Sequence, residues 1–176
     1  MIFHESPLPG VVVVEPELVR DERGWFARMF AAEEFEAVGL EPAVAHCNLS
    51  FNARAGTLRG MHYQADPYGE CKLIRCTRGA LYDVALDLRR DSPTYLRWHA
   101  VELTPENLLA LYIPRGLAHG FQTLGDETEV YYQMSEAYVP SAAQGVRWDD
   151  PAFGIVWPEG DRIISERDLS YPVFEP

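Results

Sequence analysis

The sequence predicts an all-β barrel or sandwich with a few short helices, and three observations carry that expectation. Stretches rich in Val, Ile, Leu, Tyr, Phe or Thr recur about every ten residues between turn residues. Helical periodicity is scarce, and Gly and Pro, 13 of each, are scattered instead of gathered into a linker. Many short strands with almost no helix leave a closed or double-layered sheet as the way to bury them. The 176 residues fit one domain over 1–176, since domains cluster near ~100–150 residues. No internal repeat interrupts the chain.

The predicted strands, in order, are Gly10–Glu15, Cys47–Phe51, Thr57–Gln64, Lys72–Thr77, Leu81–Leu88, Leu96–Leu103, Leu109–Ile113, Gly120–Leu124 and Val130–Ala137. Within Leu81–Leu88 the alternation is legible. Leu81, Asp83, Ala85 and Asp87 share one face and Tyr82, Val84, Leu86 and Leu88 the other, which reads as one polar and one apolar face. Phe35 and Val38 stand at an i, i+3 spacing in Ala31–Val38, enough for one short helix stopped by Gly39. A turn is expected at Thr104-Pro105-Glu106-Asn107, where Thr104 suits an N-cap and Pro105 the first helical position.

Fifteen Lys plus Arg stand against 27 Asp plus Glu, a formal net charge of −12. That field repels DNA, RNA and anionic membrane surfaces, so neither nucleic acid nor membrane is an expected partner. Near the start the longest apolar run is Val11–Val14, too short for a signal-peptide core, and nothing approaches the ~20 residues that span a bilayer. A soluble cytoplasmic protein is expected. Cys47, Cys71 and Cys76 cannot pair completely and show no CxxC spacing, so they read as packing residues.

The chemistry begins at Pro114-Arg115-Gly116-Leu117-Ala118-His119-Gly120-Phe121. Proline fixes the backbone going into the turn, glycine permits a tight corner, and His119 then points inward. By its residues alone the stretch fits either a pocket histidine or a core histidine satisfied by hydrogen bonds. The pattern Pro-x-Gly-x-x-His resembles the second motif of the cupins, a jelly-roll superfamily with its active site at the barrel mouth. A metal-binding cupin has His-x-His on an earlier strand. Here that strand reads Arg59-Gly60-Met61-His62-Tyr63-Gln64, with Gln64 in place of the second histidine. A neutral amide is a poor transition-metal ligand, so His62 and His119 are expected in a metal-free pocket. Period two puts Gly60, His62 and Gln64 on one face and Arg59 on the other, unless a bulge at Gly60 re-aims the arginine. Lys72, the only lysine beside fourteen arginines, opens an apolar strand as either a chance occurrence or an inward-facing amine.

Ten blocks, in order, then carry a more specific resemblance: Arg23-Gly24-Trp25-Phe26, Asn48-Leu49-Ser50, Gly56 through Gln64, Cys71 through Cys76, Asp83 through Arg89, Ser92-Pro93-Thr94, Ile113 through Phe121, Tyr131-Tyr132, Trp148 through Pro151 and Ser165-Glu166-Arg167-Asp168. From about residue 2 to Pro172 the chain resembles the dTDP-4-dehydrorhamnose 3,5-epimerase family. The resemblance implies a cupin-type jelly-roll β-barrel, without metal or cofactor, that inverts carbons flanking the ketone of a nucleotide-linked 4-keto-6-deoxyhexose, with a dTDP-linked sugar as substrate. A C–H beside a ketone is acidic because its anion delocalises onto oxygen, so the enzyme needs a base near carbon and a positive donor near oxygen.

By this resemblance His62 is the base, Asp168 the carboxylate that orients it, Lys72 the cation at the carbonyl oxygen and Tyr132 the acid that reprotonates from the other side. Tyr131 then faces away and packs. Arg23, Arg59 and Arg167 match positions that contact substrate and suit its diphosphate. Asn48 is placed at the pyrimidine or ribose, Tyr138 stacks on the base, and His119, Gln64 and Phe26 complete the pocket. A homodimer is implied, its N-terminal region crossing to the partner, so that Arg23 and Phe26 act in trans. The chain departs from the family pattern at Arg28, where Glu is expected, at His46, where Gln is expected, and at Ala143, where Glu is expected. These changes fall at substrate positions and open the alternatives of C3-only or C5-only epimerisation. Two other classes remain on the residues themselves, a metal-dependent cupin and a non-catalytic sugar-binding jelly roll.

Overall fold

Alternating and fully apolar runs become strands of two antiparallel sheets stacked face to face in the computed structural model, which describes residues 1–175. Pro176, the last position of the predicted domain, lies outside the described residues. The first sheet contains β1 (Ile2–Glu5), β2 (Val12–Glu15), β5 (His46–Asn52), β7 (Lys72–Arg78), β10 (Ala110–Ile113) and β12 (Thr128–Met134). Across the sheet they run in the order β1-β2-β10-β7-β12-β5. In the second, β6 (Thr57–Gln64), β8 (Leu81–Asp87), β9 (Trp98–Leu103), β11 (Leu117–Thr123) and β13 (Ala143–Gly145) run β13-β6-β11-β8-β9, with β14 (Ile163–Ile164) parallel to β6. A separate hairpin joins β3 (Leu18–Asp21) to β4 (Gly24–Ala27). Two short helices, α1 (Ala32–Ala37) and α2 (Glu166–Leu169), complete the jelly roll.

The core lies between the sheets. Ile74, Leu111 and Val130 of the first meet Leu81, Ala85, Leu117 and Phe121 of the second, every one nearly free of solvent. Each such aliphatic or aromatic side chain contributes roughly 1.5–3 kcal/mol by leaving water. The outer faces are covered too. Phe35 of α1 plugs the outside of the first sheet against Val14, Leu73 and Tyr112, edge-on to Phe3 at 5.3 Å between ring centroids. Glu33 and Glu34 sit in the first turn of α1, where the helix dipole favours them, and Gly39 ends it at φ 77°. On the second sheet Phe153 and Trp157 from the C-terminal stretch cover Leu58, Met61, Val84 and Leu86.

The expected polar face of β8 is corrected: Leu81, Asp83, Ala85 and Asp87 look into the space between the two sheets, while the C-terminal stretch covers the apolar face at Val84 and Leu86. Both faces of this strand are buried, and Asp83 and Asp87 are fully enclosed. Each carboxylate is compensated at close range: Asp83 by His119 at 2.6 Å, Asp87 by Arg89, Ser92 and Thr94 at 2.6–2.9 Å. The strands overlooked in the sequence are β1, β3, β4, β13 and β14, all short or largely exposed. Too little alternation accumulates over two to four residues to mark them. The expected turn at Thr104 is present, its hydroxyl accepting from the amides of Glu106 and Asn107. No helix among the described residues is long and apolar enough to cross a membrane.

Candidate active site

Where the two sheets part, a cavity of about 720 Å³ opens, walled by β6 and β11 on one side and by β5, β7 and β12 on the other. Its geometry depends on an irregularity in β6. Opposite His119 of β11 stands His62, yet opposite Phe121 stands Arg59, so Gly60 and Met61 of β6 together oppose the single Gly120 of β11. Gly60 occupies this bulge at φ 130°, and a Cβ there would lie 2.5 Å from the Gly120 Cα. Two glycines therefore let the strands touch backbone to backbone. The bulge cancels the period-two rule locally, so Arg59 and His62 both line the cavity.

His62 is held from behind by Asp168, 106 positions away. The Asp168 Oδ1 is 2.7 Å from His62 Nε2, and its Oδ2 accepts the Gly60 amide at 3.2 Å. Ser165 caps α2 by accepting the Asp168 amide, which locks the carboxylate toward β6. Burial pushes the Asp168 carboxyl up, but hydrogen bonds from His62, Gly60 and Ser165 outweigh it and the group stays below the usual carboxylate range. An ionised carboxylate only accepts, so Nε2 carries the ring proton and the Nδ1 lone pair is left as a base.

Facing His62 from the first sheet are Lys72 and Tyr132. Lys72 Nζ donates to the backbone oxygen of His62 itself at 2.9 Å and pairs with Glu70 at 3.1 Å. The Tyr132 hydroxyl is 3.1 Å from Ser50 Oγ. Burial pushes this phenol up to about 12, against a smaller opposing pull from Ser50, so it remains protonated at neutral pH. Its ring stands edge-on to His119, 6.3 Å between centroids. His119 spends Nε2 on Asp83, as His62 does on Asp168. Among the described residues no group of three or more His, Cys, Asp and Glu side chains is placed to hold a metal ion.

Toward the mouth lie Asn48, Arg59, Tyr138 and Arg167, with Arg59 Nε donating to Asn52 at 2.8 Å. His46 and Ala143 line the wall as well. Gln64 also borders the cavity, but its amide is spent on backbone: Nε2 donates to Tyr68 and Ala137, and Oε1 accepts from Val139. It fastens the loop that carries Tyr138.

Three expected site residues, Arg23, Phe26 and Arg28, do not line this chain's own cavity. Arg23 and Phe26 lie on the β3–β4 hairpin, with Arg23 paired to Asp21 and Phe26 71% exposed. Arg28, just beyond, faces Glu33 and Glu34 of α1. The hairpin projects because only its own two strands pair. Glu70, Asp83 and Ser50 escaped the sequence reading. Two had a signal: Asp83 is a charge between apolar neighbours on β8, and Glu70 stands two residues before the one lysine.

A jelly-roll barrel whose mouth sets a carboxylate-backed imidazole against a phenol and a buried ammonium belongs to the class of proteins equipped for proton transfer at carbon. The family model described as dTDP-4-dehydrorhamnose 3,5-epimerase matches residues 5–176. The chain is 44% identical to the dTDP-4-dehydrorhamnose 3,5-epimerase of Methanothermobacter thermautotrophicus, over 96% of this chain and 92% of that one. The enzyme of the same name from Elizabethkingia anophelis superposes with a TM-score of 0.96 at 36% identity, covering 99% and 96% of the two chains. The dTDP-6-deoxy-D-glucose-3,5-epimerase of Legionella pneumophila, solved with dTDP-4-keto-L-rhamnose, superposes at 0.90 with 32% identity over 97% of this chain and 90% of that one. The chain belongs to the dTDP-4-dehydrorhamnose 3,5-epimerase family.

Proposed function

We propose that this chain epimerises a dTDP-linked 4-keto-6-deoxyhexose at the carbons flanking its ketone, converting dTDP-4-dehydro-6-deoxyglucose to dTDP-4-dehydrorhamnose. The observation that carries the reading is the placement of His62 and Tyr132 on opposing sheets around one cavity, with Lys72 beside them. His62 Nδ1 takes the proton next to the carbonyl, and Asp168 stabilises the imidazolium that results. The electron pair moves onto the carbonyl oxygen, where the Lys72 ammonium meets the growing charge. Tyr132 gives a proton to the opposite face of the same carbon, which inverts it, and the ketone re-forms. His119, held in place by Asp83, hydrogen-bonds the sugar from the same wall.

The diphosphate is assigned to Arg59 and Arg167 at the mouth, and the base to Tyr138 with Asn48 beside it. Arginine suits a diphosphate because its planar fork meets two oxygens at once, and a local cluster of this kind is needed against the overall charge of −12. The whole chain acts as one domain in this reading, and as a homodimer. Support for the dimer lies in apolar surface without cover: Val19, Trp25 and Phe26 on the hairpin, and Leu49 and Phe51 on the edge strand β5, are each at least half exposed. Arg23, Phe26 and Arg28 then serve the partner's cavity. A nucleotide sugar is an intracellular metabolite, which places the reaction in the cytoplasm.

The test is incubation with dTDP-4-dehydro-6-deoxyglucose in deuterated water followed by mass spectrometry. Two deuterons incorporated support 3,5-epimerisation, one makes the chain a single-site enzyme, and none overturns the reading. Chelator treatment leaves the rate unchanged if the reaction runs on these side chains alone.

A further inference from the structure

Glu70 and Lys72 form a buried pair that the proton transfers described above do not use. Their side chains are 5% and 7% exposed, and their charged atoms are 3.1 Å apart. We propose that Glu70 is a positioning residue which keeps the Lys72 ammonium charged and aimed into the cavity, an inference that rests on Lys72 being the group at the substrate's carbonyl oxygen.

An ammonium has three N–H bonds. One goes to the His62 carbonyl and one points at Glu70 Oε1, which leaves the third for the cavity. The other oxygen, Glu70 Oε2, is buried with no hydrogen-bond partner among the described residues. Glu70 is therefore a carboxylate whose close cation is Lys72. Other charged or titratable groups around Lys72 include His62 and Arg59 on β6, the adjacent Cys71, Asp83 on β8, His119 on β11, Tyr132 on β12, Glu136 beyond β12, and Glu41 with Tyr112 of β10 across a small cleft behind β7. Among them Asp83 is already engaged by His119 at 2.6 Å. Burial pulls the Lys72 pKa down, while Glu70 opposes it most strongly and Asp83 less. Without the Glu70 charge, burial acts on the ammonium with less opposition and the proton is held more weakly; in the neutral form the amine turns a lone pair toward the oxygen it should stabilise.

Because the chain contains one lysine, protein labelled with [13Cε]lysine shows a single lysine side-chain resonance, and its titration reads Lys72 directly. In Glu70→Gln the midpoint falls by about one pH unit or more. The alkaline limb of kcat for solvent exchange falls with it, while KM stays within about threefold. Glu70→Asp keeps the charge one methylene further away and gives a midpoint between the two, so it reads the pairing even if the amide variant fails to fold. An unchanged midpoint in both variants overturns the proposal, and so does a midpoint that moves while the kcat limb stays. A wild-type protein silent in the exchange assay sinks the epimerase reading and with it the part of Glu70 in catalysis, whereas the resonance still decides whether Glu70 governs the charge of Lys72.

Discussion

Asp168 grips β6 at two points, taking the His62 ring with one oxygen and the Gly60 amide with the other. One carboxylate therefore fixes both the base and the bulge that aims it. Asp168→Asn cannot satisfy both, since an amide has a single oxygen. If that oxygen stays with Gly60, the NH2 group faces His62 Nε2 and forces the ring proton onto Nδ1. The expected loss in kcat is roughly 10³–10⁴-fold, with dTDP affinity by calorimetry within about threefold of wild type. His62→Ala removes deuterium exchange altogether. Full exchange in His62→Ala would end the assignment of His62 as base, and an undiminished kcat in Asp168→Asn would end the part given to Asp168.

Tyr132→Phe separates the two proton transfers. The phenol, pushed up to about 12 by burial, is a donor throughout the physiological range. Without it His62 still removes a proton and returns a deuteron to the same face. Recovered substrate should therefore gain deuterium while inverted product falls by roughly 10²–10⁴-fold, the usual worth of a positioned acid. NMR of the recovered sugar distinguishes the two, and inverted product at the wild-type rate would remove Tyr132 from the mechanism.

Acid stability should report on Asp87. Burial alone would raise its pKa, but Arg89, Ser92 and Thr94 overcome that and hold it at about 2, below the ~3.9 of an unfolded aspartate. A group depressed on folding adds stability above its unfolded pKa and loses it as the pH falls through the folded one. Asp87 should thus add about 2 kcal/mol at pH 7 that fades between about pH 5 and pH 2. Urea unfolding of Asp87→Asn across that range should show a smaller stability at neutral pH and a shallower decline than wild type. Parallel curves for the two proteins would contradict it.

Much of the barrel was legible because strand formation is read locally. Runs such as Thr57–Gln64 and Lys72–Thr77 declare themselves by composition and turn boundaries, and the corresponding strands begin on the same residues. The faces of β8 were legible too, but not their environment. Alternation says which side chains share a face and nothing about what covers it, and here Phe153 and Trp157 arrive from some seventy residues further on.

By itself, then, the amino-acid order determined the strand inventory, the pairing of a glycine corner with an inward histidine at Gly116 to His119, and the array of residue types that proton transfer requires. Tertiary structure alone decided who meets whom. It set Asp168 behind His62, closed Glu70 over Lys72, turned Arg59 inward at a bulge, and sent Arg23, Phe26 and Arg28 away from the cavity of their own chain. The physical reason is range. A side chain's direction along a strand follows from a two-residue repeat, while the partner it reaches depends on how distant strands close into a barrel, a choice made by the whole set of buried surfaces and backbone pairings together.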